Sequence, residues 1–254
     1  MKKLLAITAL SAALFFGQTA AAEEKAAEEV KPSHVEMVLV LDESGSMSNL
    51  TNDTIGGFNS MIEKEKKLDV DAHVTTVLFN DQYKMLYNRR ELKDVSKMTD
   101  KDSTPGGMTA LLDAVGRTIH KMDMVSGIHR KDKGNKVLFV IITDGEENDS
   151  REYTYADVKK LIKDRQENAG WEFIFLGANI DAAAAAENLG IDRDRAVKYK
   201  NTGSGVRANF KAVAELSDSL AKSGRVSDEW KETVEKDEDD AADKQYAAVT
   251  LHRR

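Results

Sequence analysis

The stretch VLVLDESGSMSNL, residues 38–50, decides how the rest of the chain is read. An unbroken apolar run from Met37 to Leu41 stops at Asp42, and Ser44 and Ser46 follow at intervals of two with Gly45 between them. A run of Val and Leu without polar alternation suits a strand covered on both faces, as in a parallel sheet between layers of helices. The polar residues after it then stand at the carboxyl end of that strand. In an extended loop, side chains at i, i+2 and i+4 leave the backbone on one side. The spacing therefore predicts that Asp42, Ser44 and Ser46 aim one carboxylate and two hydroxyls at a common point.

Working outward, HVEMVLVLD (34–42) is the first strand, and 51–67 follows with Ile55, Phe58, Met61 and Ile62 at helical spacing. Gly56-Gly57 near the start of that helix lowers its intrinsic stability, which points to close packing against the sheet. DAHVTTVLFN (71–80) and QYKMLYNR (82–89) are two strands near enough for a hairpin. A helix over 109–124 buries Leu111, Leu112, Val115, Ile119 and Met122, and GIHRKDKGNK (127–136) reads as a basic surface loop. KVLFVIITD (136–144) is the most apolar strand, followed by a helix over 155–168 and a strand over 171–178. A helix over 181–189 with five consecutive alanines, a short strand over 196–199 and an amphipathic helix over 204–223 complete the pattern. Such alternation implies parallel strands joined by right-handed crossovers. The expected fold is α/β: a doubly wound, Rossmann-like three-layer α/β/α sandwich, its sheet mostly parallel with one antiparallel edge strand.

The flanks differ in character. Lys2 and Lys3, an apolar stretch from Leu4 to Phe16, Gly17 and the small residues Ala20–Ala22 form the three-part pattern of a secretory signal peptide over 1–22. Residues 23–33 read as a charged linker, 34–224 as the folded domain, and 225–254, with KDEDDAADK, as an acidic flexible tail. Export to the periplasm or the extracellular space is the expectation. The leader's apolar stretch is too short to span a bilayer well, and no other stretch is long and apolar enough to do so.

Composition narrows the chemistry. The formal charge of -7 becomes -9 once the leader is removed, and such a chain carries no electrostatic footprint for nucleic acid or anionic membrane. With no cysteine, disulfides, zinc–thiolate sites, iron–sulfur clusters and thiol nucleophiles are excluded. The five histidines, 34, 73, 120, 129 and 252, are scattered and show no HExxH pairing, and no Gly-x-Ser-x-Gly stretch is present.

Ligands of doubly wound folds sit beyond the carboxyl ends of the strands. Three polar stretches fall there: DESGS (42–46), PGGMT (105–109) and TDGEE (143–147). Asp42, Ser44, Ser46, Thr109 and Asp144 offer oxygen alone, a donor set for a hard cation, Mg2+ above all, with Mn2+ or Ca2+ as alternatives. Three of the five are neutral hydroxyls, so a bound ion would keep positive charge and favour an incoming carboxylate. Each residue alone has a plainer reading: Asp and Ser are good helix caps, and Thr109 would serve as the N-cap of its own helix. Glu43, Glu146 and Glu147 read as solvated rim charges.

Taken together, the Asp-x-Ser-x-Ser of DESGS, the Thr of GGMTALLDAV and the Asp of FVIITDGEEN resemble the von Willebrand factor A domain with its metal-ion-dependent adhesion site, over about His34 to Ser223. The resemblance implies that Asp42, Ser44 and Ser46 are first-loop ligands, Thr109 the second-loop ligand and Asp144 the third-loop carboxylate. It implies a binding module without catalytic residues, whose metal meets an acidic residue of a protein partner, and a last helix that shifts on engagement. A monomer is expected. Two rivals remain: a Mg2+-dependent phosphohydrolase with an aspartate nucleophile, and a metal-independent scaffold subunit. The first is disfavoured because the position two residues after Asp42 is Ser44, which is no proton donor of the needed acidity.

Overall fold

The computed structural model describes residues 34–68, 70–125 and 135–236. The expected leader, the linker, residues 127–134 of the basic loop and the tail beyond 236 lie outside the described residues.

The chain runs β1 (His34–Asp42), α1 (Thr51–Lys66), β2 (Ala72–Phe79), β3 (Tyr83–Glu91), α2 (Leu111–Asp123), β4 (Asn135–Thr143), α3 (Tyr155–Asp164), β5 (Glu172–Gly177), α4 (Ala182–Leu189), β6 (Ala196–Lys198) and α5 (Gly203–Ser223). The strands form one sheet in the order β3-β2-β1-β4-β5-β6, parallel throughout except for the β3 edge, which returns antiparallel to β2. This is the expected doubly wound sandwich. The chain moves outward from β1 first to β2 and later to β4, so the crevice between β1 and β4 is the topological switch point.

Strand β1 explains why the register is secure. Met37, Leu39 and Leu41 face a core shared with Phe58 and Met61 of α1 and Phe210 of α5. Val38 and Val40 face the opposite core, with Val115 of α2, Ile162 of α3 and Leu189 of α4. Each such side chain contributes about 1.5–3 kcal/mol when buried. A slip by one residue would exchange the two faces. The parallel pairing with β4 sets Leu41 opposite Ile142, which brings Asp42 and Thr143 to the same rim.

Local signals close the helices. Thr154 and Asp157 form a reciprocal capping box on α3, Asp181 caps α4, and Thr202 caps α5. Three expectations need correction. Gly57 packs against α5 and not the sheet: a methyl group there would come within 2.5 Å of the Phe210 ring. The helix expected over 155–168 is α-helical to Asp164 and then widens into a π-turn over Arg165–Ala169. The folded part does not stop at 224. Residues 230–236 are helical, and Trp230 and Val234 are buried in the α1/α5 core. That pair, one turn apart in an otherwise charged segment, is too sparse to read as periodicity yet anchors the segment.

Candidate metal site at the carboxyl ends of the strands

The first loop is built by Asp42. Its Oδ1 accepts the Ser44 backbone N–H at 2.7 Å, turning the chain immediately after β1. Ser44 is extended, and a 3-10 helix over Gly45–Leu50 begins at once, with Met47 N–H donating to the Ser44 carbonyl at 3.0 Å. The hydroxyls of Ser44 and Ser46 therefore meet, 3.2 Å apart, through a turn and not through the alternation of an extended loop.

The third loop joins the first. Ser46 Oγ donates to Asp144 Oδ1 at 2.6 Å, and Thr143 Oγ1 donates to Asp42 Oδ2 at 2.6 Å. Asn201, just before α5, donates through Nδ2 to Asp144 Oδ2 at 3.1 Å. The second loop is held by its backbone: Gly45 N–H donates to the Gly107 carbonyl at 3.3 Å and Gly106 N–H to the Glu43 carbonyl at 2.9 Å. Gly107 has φ 74°, and a side chain there would collide with the Asp81 carboxylate.

Thr109 is buried, with its N–H donating to Asn148 Oδ1 at 2.9 Å and its carbonyl accepting from Asn148 N–H at 3.0 Å. Its hydroxyl lies beside Gly145, where a methyl group would stand 3.5 Å from the oxygen. Thr109 is not the cap of α2. That helix starts at Leu111, and its free N–H groups are taken from the third loop: Leu112 N–H by Glu147 Oε2 at 2.9 Å and Asp113 N–H by the Ser150 hydroxyl at 3.1 Å. In return Asp113 accepts the backbone N–H groups of Arg151, Glu152 and Tyr153. This exchange locks α2 to the third loop and leaves the Thr109 hydroxyl out of the capping.

The rim-charge expectation holds for Glu146, which is exposed, and fails for its neighbours. Glu43 is buried and accepts from Thr104 N–H at 3.0 Å and the Ser103 hydroxyl at 3.2 Å, so it fixes the second loop. Glu147 is the cap of α2 just described. The contacts that tie these two to other elements, Thr104 to Glu43 and Leu112 to Glu147, span 61 and 35 residues, although Glu147 also accepts from Asp149 and Ser150 within its own loop.

The electrostatics are one-sided. Asp42 and Asp144 are each 2% exposed, and among the described residues no Lys, Arg or His forms an ion pair with either. Burial pushes the Asp42 carboxyl up, and the Asp144 charge adds to this. Tyr199 lies in the same field: burial, then the charges of Asp144 and Asp42, push its phenol up, and its hydroxyl is enclosed without a partner among the described residues. Enclosed charges are ordinarily paired or bound to metal, since an unmatched one costs several kcal/mol. The donors are of the kind a hard cation takes: all are oxygens, and those of Ser44, Ser46 and Asp144 already stand in contact, 3.2 and 2.6 Å apart through Ser46.

A second grouping was not legible as such. His34 and His73, scattered in sequence, stand side by side with ring centroids 4.5 Å apart, and Glu36 joins them. Parallel pairing of β1 with β2 sets Glu36 opposite His73, a juxtaposition that appears only once the strands are paired.

A doubly wound sheet with β1 and β4 at its switch point, and acidic and hydroxyl-bearing loops gathered over that crevice, defines a von Willebrand factor A-type domain. The chain belongs to the vWA-TerF-like family, described as the vWA found in the TerF C terminus, whose family model matches residues 34–191. Helix α5 and the segment 230–236 lie beyond that match. Curated proteins include no match to the sequence. Among solved structures, the fold is similar to proximal thread matrix protein 1 from the mussel byssus with a zinc-occupied MIDAS motif (TM-score 0.52, 13% identity, 74% of this chain and 47% of that one). It is also similar to the PilB minor pilin of Streptococcus sanguinis (TM-score 0.54, 12% identity, 76% of this chain and 62% of that one). At these identities the likeness is one of fold, and the chain spans about half the length of the mussel protein. Among the described residues, no helix is long and apolar enough to cross a membrane.

Proposed function

We propose that this domain is a cation-dependent protein-binding module. Asp42, Ser44, Ser46, Thr109 and Asp144 hold one Mg2+, with Mn2+ or Ca2+ as substitutes, and the ion takes an acidic residue of a protein partner. The observation that carries this reading is the pair of enclosed carboxylates without a basic neighbour among the described residues. A bound divalent ion supplies the missing positive charge and a Lewis-acidic position for an outside oxygen.

The residues divide the work. Asp42 already serves Ser44 N–H and the Thr143 hydroxyl with its two oxygens, so it contributes charge and holds the first and third loops together. The hydroxyls of Ser44, Ser46 and Thr109 contribute neutral oxygens, which leaves the ion under-neutralised. The same geometry favours binding over phosphoryl transfer. Both oxygens of Asp42 are engaged by protein donors, and Ser44, where an acid–base group would stand, bonds Ser46. Export by way of the 1–22 leader, and action outside the cytoplasm, belong to the same proposal and rest on the leader's three-part pattern.

The test is capture of partners from native envelope material by the full chain, with Mg2+ and with EDTA, beside Asp144→Asn. The expected result is capture that needs Mg2+ and is lost in the variant, with no turnover of aryl phosphates. Capture indifferent to both EDTA and the substitution would favour a metal-independent scaffold, and metal-dependent aryl phosphate turnover would favour an enzyme. Cell fractionation that left the protein in the cytoplasm would refute export.

A further inference from the structure

We propose that His34, Glu36 and His73 form a second metal site, for a borderline transition-metal ion such as Zn2+, at the amino end of the sheet. It is independent of the site formed by Asp42 and Asp144. Glu36 and Asp42 stand six residues apart on β1, which places the two about 20 Å apart along the strand.

The argument is geometric. His34 Nε2 lies 2.7 Å from His73 Nδ1 and 3.0 Å from Glu36 Oε1, and His73 Nδ1 lies 3.5 Å from Glu36 Oε1. Three ligand atoms thus form one small triangle. The far side of the His34 ring can keep a proton while Nε2, which faces Glu36, gives its own up to an ion: Nδ1 is 3.3 Å from the Asp71 carboxylate, which can only accept. With the proton on Nδ1, Nε2 turns a lone pair inward. His73 Nδ1 lies 3.4 Å from the Arg89 guanidinium, which can only donate, so it too offers a lone pair. Three inward lone pairs in contact require a proton or a metal ion among them. A carboxylate behind a metal-binding imidazole is the usual orienting partner in such centres, and Asp71 occupies that place.

The surroundings are built to hold Glu36. Arg89 adopts φ 47°, an uncommon conformation for a residue other than glycine, where β3 slips register against β2. Its backbone N–H is fixed by the Thr75 hydroxyl at 3.1 Å. The guanidinium grips Glu36, with Nε donating to Oε2 at 3.1 Å, a contact that can persist when Oε1 turns to an ion. With neutral imidazoles, Glu36, Asp71 and Arg89 sum to a single negative charge, so a divalent cation is not repelled. Two imidazoles and one carboxylate select Zn2+, Co2+ or Ni2+ over Mg2+, and the rings, 14% and 26% exposed, reach solvent on the side where a further ligand would enter. Bound there, the ion would clamp the start of β1 to the start of β2.

The test uses the full chain carrying Asp144→Asn, so that zinc at the carboxyl-end site is not counted. Calorimetric titration is expected to show one Zn2+ per chain, and Co2+ a visible d–d spectrum of a low-coordinate nitrogen–oxygen site. Adding His73→Gln should weaken Zn2+ at least tenfold, and adding Asp71→Asn about tenfold or more. Full loss of Zn2+ binding on Asp144→Asn alone, or unchanged affinity after His73→Gln, would overturn the proposal. Should His73→Gln fail to fold, imidazole nitrogen resonances of the Asp144→Asn chain decide. Zinc-dependent shifts at both His34 and His73 support the site, and their absence refutes it.

Discussion

Glu36 and Asp42 lie on one strand, both are carboxylates, and both are almost wholly enclosed, 1% and 2% exposed. Their surroundings are opposite. Burial works against ionisation of Glu36, yet hydrogen bonds from His34 and Arg89 and the Arg89 charge outweigh it and bring its pKa to about 2. Among the described residues Asp42 has hydroxyl and amide donors only; it faces a second carboxylate, and burial pushes it up. Glu65, on α1, gives a third case. It is enclosed with the Ser217 hydroxyl at 2.6 Å, and burial raises its pKa to about 7. One strand end carries a counter-charge in Arg89, the helix interface uses a proton, and the other strand end has no basic partner among the described residues.

Substitutions probe this contrast. The largest effect is expected at Glu36. Glu36→Ala strands the Arg89 charge and should cost about 3–5 kcal/mol in urea unfolding at neutral pH. Next is Glu65. Its folded pKa lies above the ordinary 4.5, so the folded state keeps a proton that the unfolded state releases. The Glu65 contribution to stability should be full below pH 4.5 and fall by about 3 kcal/mol as pH rises through about 7. Glu65→Gln should flatten that profile; a parent profile without the decline would remove Glu65 from the comparison. Smaller still, Mg2+ at 100 times its Kd should stabilise the parent by about 2.7 kcal/mol relative to EDTA and leave Asp144→Asn unmoved. The smallest effect belongs to Asp42→Asn in EDTA, within about 1 kcal/mol of the parent, because a lost hydrogen bond is offset by relief of an unmatched charge. A loss there as large as that of Glu36→Ala would erase the distinction between the two ends.

Much of the fold was legible from hydrophobic pattern alone. The apolar runs of β1 and β4 announced strands covered on both faces, and the short gap between 80 and 82 announced the antiparallel edge. Asp42, Ser44, Ser46, Thr109 and Asp144 stood out because each directly follows or opens a predicted element, and the structure sets Ser46 in contact with both Ser44 and Asp144. Failures came where a side chain's partner is distant in sequence. Glu43 and Glu147 looked like solvent-facing acids until the second loop and α2 were placed beside them. Gly57 was expected to meet the sheet and instead meets Phe210, 153 residues on, a contact no local pattern encodes. Trp230 and Val234 follow the same rule, as do His34 and His73, neighbours only through strand pairing.

The central claim is that oxygens from three loops enclose a place that lacks only a cation. Amide NMR of the full chain during Mg2+ titration tests it most directly. The account predicts saturable shifts confined to residues around Ser44, Ser46, Thr109 and Asp144, reversed by EDTA and absent in Asp144→Asn. An unchanged spectrum at millimolar Mg2+, or the same shifts in Asp144→Asn, would contradict it.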